Sequence, residues 1–81
     1  MARTIKLRAV QDPEAGVYVV TGENYDGLTF EAESMEHALD RAKVIVPDLM
    51  EANGDDTADL TISLTEYRLA PHRELTVRVA A

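Results

Sequence analysis

An α+β domain is what this sequence predicts: an antiparallel sheet in the order β-β-β-α-β-β, with one long helix packed on one face. Three observations carry that expectation. Apolar and polar residues alternate at period two in the segments before Ser34 and after Asp59. Between them, apolar residues recur every three or four positions from Met35 to Leu49. Turn-forming residues separate the pieces. Period two marks strands with one buried face, and steps of three and four mark an amphipathic helix.

The first strand spans Thr4 to Val10, with Ile5, Leu7 and Ala9 facing one way and Thr4, Lys6 and Arg8 the other. Asp12-Pro13-Glu14-Ala15-Gly16 is a turn, because Asp favours the first turn position and Pro presets φ at the next. Val17 to Thr21 is apolar on both faces and is expected near the middle of the sheet. Asn24 to Gly27 forms the next turn. Leu28, Phe30 and Ala32 then face the core, and Thr29, Glu31 and Glu33 face solvent, completing an antiparallel meander.

Ser34 is placed to cap a helix whose apolar stripe runs through Met35, Ala38, Leu39, Ala42, Ile45, Val46 and Leu49. Pro47 lies inside that stripe and predicts a kink near Lys43–Pro47, or a break before it. Gly54 supplies a left-handed stop. After a polar loop, Leu60, Ile62 and Leu64 alternate with Thr61, Ser63 and Thr65 as a fourth strand. Ala70-Pro71-His72-Arg73 reads as a turn, and Leu75, Val77 and Val79 mark a fifth strand. The expected core is Ile5, Leu7, Val19, Leu28, Phe30, Leu60, Ile62 and Leu64 under the helix.

With 81 residues the chain forms a single domain, 1–81, near the small end of what folds unaided, and it has no cysteine to staple it. Such a chain often gains stability by pairing, so a homodimer is expected, formed through the fifth strand or an exposed sheet edge. The net charge of −7 is segregated. Arg3, Lys6 and Arg8 are basic, whereas thirteen acids lie between Asp12 and Asp59 against Arg41 and Lys43. That balance repels phosphate backbones and attracts a basic protein, so no direct nucleic-acid binding is expected. No apolar run approaches the ~18 residues of a membrane span, and the N-terminus lacks a signal-peptide pattern. A cytoplasmic location is expected.

No catalytic constellation stands out. His37 lies close to Glu33, Glu36 and Asp40, but metal sites need three or four convergent ligands, so a solvent-exposed or capping role is expected. His72 reads as part of a turn. Asp55-Asp56-Thr57-Ala58-Asp59 lacks the ligand spacing of a calcium loop and reads as a solvated loop. The glycines form no phosphate-binding motif. Neither a cofactor nor a metal is expected.

Asp12-Pro13-Glu14-Ala15-Gly16-Val17-Tyr18-Val19, Asp26-Gly27-Leu28, Glu31-Ala32 and the helix start Ser34-x-x-His37-Ala38-Leu39-x-x-Ala42 together resemble the HicB-like antitoxin family. The likeness is to its short branch, known only as a domain of unknown function, and spans roughly Thr4 to Leu64. The resemblance implies a partial ribonuclease H-like fold without that enzyme's metal-binding carboxylates. It also implies an antitoxin role in a toxin–antitoxin system, in which the domain neutralises a small basic ribonuclease by covering its active site. The chain departs from longer relatives in ending in a strand rather than a DNA-binding domain, and His37 replaces the usual glutamate of the helix start.

The expected function is therefore protein binding without catalysis. The expected contact residues are Tyr18, Glu23, Tyr25, Asp26, Glu31 and Glu33 on strands two and three, where carboxylates pair with basic residues and tyrosines add contact area. The competing expectations are a structural or oligomerisation module with no toxin partner, and an enzyme or ligand-binding subunit with a cleft at Tyr18, Tyr25 and His37.

Overall fold

The computed structural model describes residues 2–68 and 71–79. The elements are β1 (Arg3–Gln11), β2 (Tyr18–Gly22), β3 (Thr29–Ala32), α1 (Met35–Ala52), β4 (Leu60–Tyr67) and β5 (Pro71–Val79). They build one five-stranded sheet in the order β3-β2-β1-β4-β5, with α1 on one face. The α+β class and the β-β-β-α-β-β order are as the periodicities predict.

The sheet is mixed rather than wholly antiparallel. β1, β2 and β3 form the antiparallel meander, and β4 pairs antiparallel with β5, but β1 and β4 run parallel with Ile5 opposite Ile62 and Leu7 opposite Leu64. The helix is the cause. Parallel strands need a crossover connection, and an 18-residue helix is about 27 Å long. α1 thus returns the chain along the whole sheet, so β4 starts at the same end as β1. Because β4 joins the far side of β1, the middle of the sheet is β1, and β2 is interior but next to the short β3.

The core lies between this sheet and α1. Ile5, Leu7 and Ala9 of β1, Val20 of β2, and Leu60, Ile62 and Leu64 of β4 are fully buried against Ala38, Ala42, Val46 and Met50 of the helix. Phe30, Ala32 and Met35 close one side. The expected core position Val19 is corrected to Val20. The register places Val20 opposite Ala9 and Phe30 on the helix side, which leaves Val19 half-buried on the opposite face.

Local chemistry sets the boundaries. The Asp12 carboxylate accepts from the amides of Glu14 and Ala15, and Gly16 N–H donates to the Asp12 carbonyl at 2.8 Å, closing the first turn. Gly22 packs so closely that a Cβ there would meet the Tyr25 carbonyl at 2.5 Å. Ser34 Oγ accepts from His37 N–H at 3.0 Å, and His37 Nδ1 accepts from Glu33 N–H at 3.0 Å. His37 thereby stands where a capping box has its glutamate, but its ring takes the N–H of Glu33, one residue before the cap, rather than that of Ser34. α1 continues through Pro47 without a break. At its end Gly54 N–H donates to Glu51 and Asp55 N–H to Met50, a Schellman stop with Gly54 at φ +77°.

The predicted turn at Ala70–Arg73 is also corrected. Ala70 lies outside the described residues, but Pro71, His72 and Arg73 already belong to β5, and His72 is exposed on it. A register shift at Glu66/Tyr67 accommodates the strand start, where a proline is tolerated.

Two stability measurements check this arrangement. Phe30→Ala is expected to cost about 3 kcal/mol in urea unfolding, the usual range for emptying a buried aromatic site. Val20→Ala is expected to cost about 2 kcal/mol and clearly more than Val19→Ala; the reverse ranking would mean that β2 has the opposite face inward.

Candidate functional site

The helix-free face of the sheet is largely polar. Registers place Thr4, Lys6, Arg8 and Val10 of β1 beside Val19 and Thr21 of β2, Thr29 and Glu31 of β3, Thr61, Ser63, Thr65 and Tyr67 of β4, and Glu74, Thr76 and Arg78 of β5. None of these side chains is buried, and Val10 is 44% exposed. Arg8 lies 4.2 Å from the Tyr67 ring centroid and bonds Glu23 at 3.1 Å, so its charge is matched within the chain. Arg3 points to the other face, over the Tyr25 ring and 3.9 Å from Asp55. The basic first strand thus divides its cations between two faces and presents no concentrated patch to phosphate.

The six residues expected to contact a partner are not gathered into one patch. Glu31 is exposed on the helix-free face opposite Val19, Glu23 lies beyond the other end of β2 bound to Arg8, and exposed Asp26 and Glu33 flank β3 at its two ends. Among the described residues Asp26, Glu31 and Glu33 make no ion pair. The two tyrosines are turned inward. Tyr25 is buried, donates its hydroxyl to Asp55 and accepts from Asn53 Nδ2 at 3.0 Å, tying the β2–β3 turn to the end of α1. Tyr18, half-buried on the helix side, donates to Glu66 Oε2 at 2.8 Å.

Glu66 is the polar residue that sequence reasoning misses. It is only 3% exposed and stands between Ala9 of β1 and Arg73 of β5. Arg68 Nε is 3.8 Å and Arg73 Nε 4.0 Å from its carboxylate, and Arg73 also grips Glu36 of α1 at 2.8 and 3.4 Å. The chain Tyr18–Glu66–Arg73–Glu36 joins β2, β4, β5 and the first turn of α1. Its signal is present in the alternation itself: after Leu60, Ile62 and Leu64 the next inward position is Glu66, and before Leu75 the inward position is Arg73.

These groups are engaged in contacts within the fold. Among the described residues every buried side-chain nitrogen and oxygen has a partner, and no group of three or more His, Cys, Asp or Glu side chains is placed to hold a metal ion. His37 is committed to its cap, and the aspartates of the loop after α1 bind Tyr25, Arg3, Arg78 and the Ala58 amide. No helix among the described residues is long and apolar enough to cross a membrane.

Two titrations follow from the network. The Tyr18 hydroxyl is raised above 10.0, chiefly by its bond to Glu66 and then by burial. Its folded value exceeds the unfolded one, so its contribution is complete below pH about 10 and is lost as pH rises through the raised value. Tyr18→Phe should flatten that alkaline loss in unfolding experiments. The Glu36 carboxylate is lowered, first by the Arg73 hydrogen bond and then by one from its own backbone. The ion pair is therefore present at neutral pH and lost as pH falls through a value below the usual glutamate range. Arg73→Ala is expected to return Glu36 to that range in an NMR titration.

Comparison with known proteins agrees with the architecture. The family described as Domain of unknown function (DUF1902) matches residues 4–79. No curated protein matches the chain. Among solved structures, the chain is similar to hypothetical protein TTHA1013 from the extremely thermophilic bacterium Thermus thermophilus. The two share 37% identity and a TM-score of 0.73 over 82% of this chain and 94% of that one. A match over nearly the whole sequence, with the same fold in a relative at this identity, places the chain in the DUF1902 family.

Proposed function

We propose that this chain is a non-catalytic, antitoxin-like binding module whose partner is a small basic ribonuclease toxin, neutralised when the module covers its active site. One observation carries the reading. Asp26, Glu31 and Glu33 line the short edge of the sheet, exposed and without an ion pair among the described residues. The polar groups beneath them are engaged within the chain. Carboxylates left without an intrachain ion pair favour a basic partner through steering and interfacial pairing. The HicB-like pattern of turns and helix start supports the same role. Tyr18 and Tyr25 serve this reading as props, fixing both ends of β2 and its following turn against the helix, rather than as contact area.

A structural module without a toxin is the second reading, and the nine-residue edge strand β5 favours it. The two separate cleanly. A tagged chain isolated from its own host should bring down a basic protein of under about 100 residues, the size of one small domain. Adding the purified chain should suppress that protein's cleavage of RNA. Glu31→Lys combined with Glu33→Lys should slow association by roughly tenfold or more at low salt and weaken its salt dependence, while leaving the melting transition in place. An unchanged association rate and salt dependence in the double variant would remove this edge as the docking surface.

A further inference from the structure

We infer that β5 is a homodimer edge, on which a second copy of the chain pairs antiparallel about Thr76 to make one continuous ten-stranded sheet. This goes beyond the toxin-binding reading, which concerns the opposite edge.

The sheet ends at β3 and β5. β3 has four residues, and one of its carbonyls, that of Glu31, already accepts from Arg41 Nη1 at 2.5 Å. β5 has nine residues and is paired only along its β4 side. The outward half of its backbone donors and acceptors is a template for another strand, and a long edge of this kind demands pairing or protection.

The side chains of β5 then choose the partner and the register. On the helix side of β5 stand Leu75, Val77 and Val79, each half-buried at the border of the core. On the helix-free side stand Glu74, Thr76 and Arg78, all exposed, with Arg78 also 3.3 Å from the Asp59 carboxylate of its own chain, a pair that is solvent-exposed on both sides. Antiparallel pairing of two copies with Thr76 opposite Thr76 sets Glu74 opposite the other copy's Arg78, twice by symmetry. It also sets Leu75 opposite Val77, again twice. Like faces meet, so both helices remain on one side of the joined sheet. Neighbouring registers lose the Glu74–Arg78 match: centring on Leu75 sets Glu74 opposite Thr76, centring on Val77 sets Arg78 opposite Thr76, and centring on Glu74 puts two carboxylates against each other. In the favoured register Arg73 faces Val79, but its charge is already met within its own chain by Glu36 and Glu66. A strand complementary to itself in charge, in apolar contact and in hydroxyl pairing is the signature of an isologous interface.

The experiment is a charge swap read by sedimentation equilibrium, with circular dichroism confirming that each variant is folded. The parent chain is expected to be dimeric at micromolar concentration. Glu74→Arg sets like charges opposite at both symmetry-related positions, and so does Arg78→Glu. Each should raise the dimer Kd roughly tenfold. Mixing the two single variants, or combining both changes in one chain, restores opposite charges across the join and should recover the parent affinity. In a mixed sample of isotope-labelled and unlabelled parent chain, intermolecular NOEs should connect Leu75 with Val77, a readout that does not depend on any variant folding. A monomer at about 100 μM, equal Kd values for the single variants and the parent, or the absence of Leu75–Val77 NOEs in a dimer that shows other intermolecular NOEs, would each overturn the proposal.

Discussion

The parallel ladder between β1 and β4 is the constraint on which the rest of this structure depends. Neither strand is adjacent to the other in sequence, and they meet only because α1 spans the sheet and returns the chain to its starting end. Once they meet, the inward residues of both strands stack as Ile5 with Ile62 and Leu7 with Leu64, all fully buried. The meander then extends to one side and β5 to the other. A single helix is thereby centred over the strands that bury the most, and the two outer strands are left at the border of the core.

Polar networks secure the two ends of this layer. At one end, Tyr25 ties the β2–β3 turn to Asn53 and Asp55 just beyond α1, with Arg3 over its ring. At the other, Glu66 joins Tyr18, Arg73 and, through it, Glu36 in the first turn of α1. Burying a carboxylate is costly unless it is paired and hydrogen-bonded, and Glu66 has both kinds of partner. These networks set where the sheet stops being apolar, and they tie the hydroxyls of Tyr18 and Tyr25 to acids of the same chain.

The two proposals assign the two edges of the sheet different partners. The β3 edge is short, acidic and partly occupied by Arg41, and it offers charge to a basic partner. The β5 edge is long and carries Glu74 and Arg78 on its exposed face, the pair that the proposed dimer sets opposite each other. The two edges lie at opposite ends of one sheet, so a dimer joined at β5 would present two β3 edges outward. A bivalent module of this shape could hold two partner molecules without either interface obstructing the other.

Much of this was legible in the sequence, for local reasons. The alternation in Thr4–Val10 and Leu60–Thr65, the Asp12 turn, the Ser34 cap and the Gly54 stop each follow from neighbours within a few residues, and each is where the pattern put it. Residue parity also held the clue to Glu66 and Arg73, inward positions occupied by an acid and a base on paired strands. The parallel pairing of β1 with β4 was not local: period two gives the faces of a strand but not its neighbour or direction. The same limit explains Val19 and the tyrosines. A strand apolar on both sides does not reveal which face meets the helix, and a tyrosine next to acids reads equally as a contact or as a tether. Only the assembled sheet reveals the tethers, by bringing Asp55 to Tyr25 and Glu66 to Tyr18 across 30 and 48 residues.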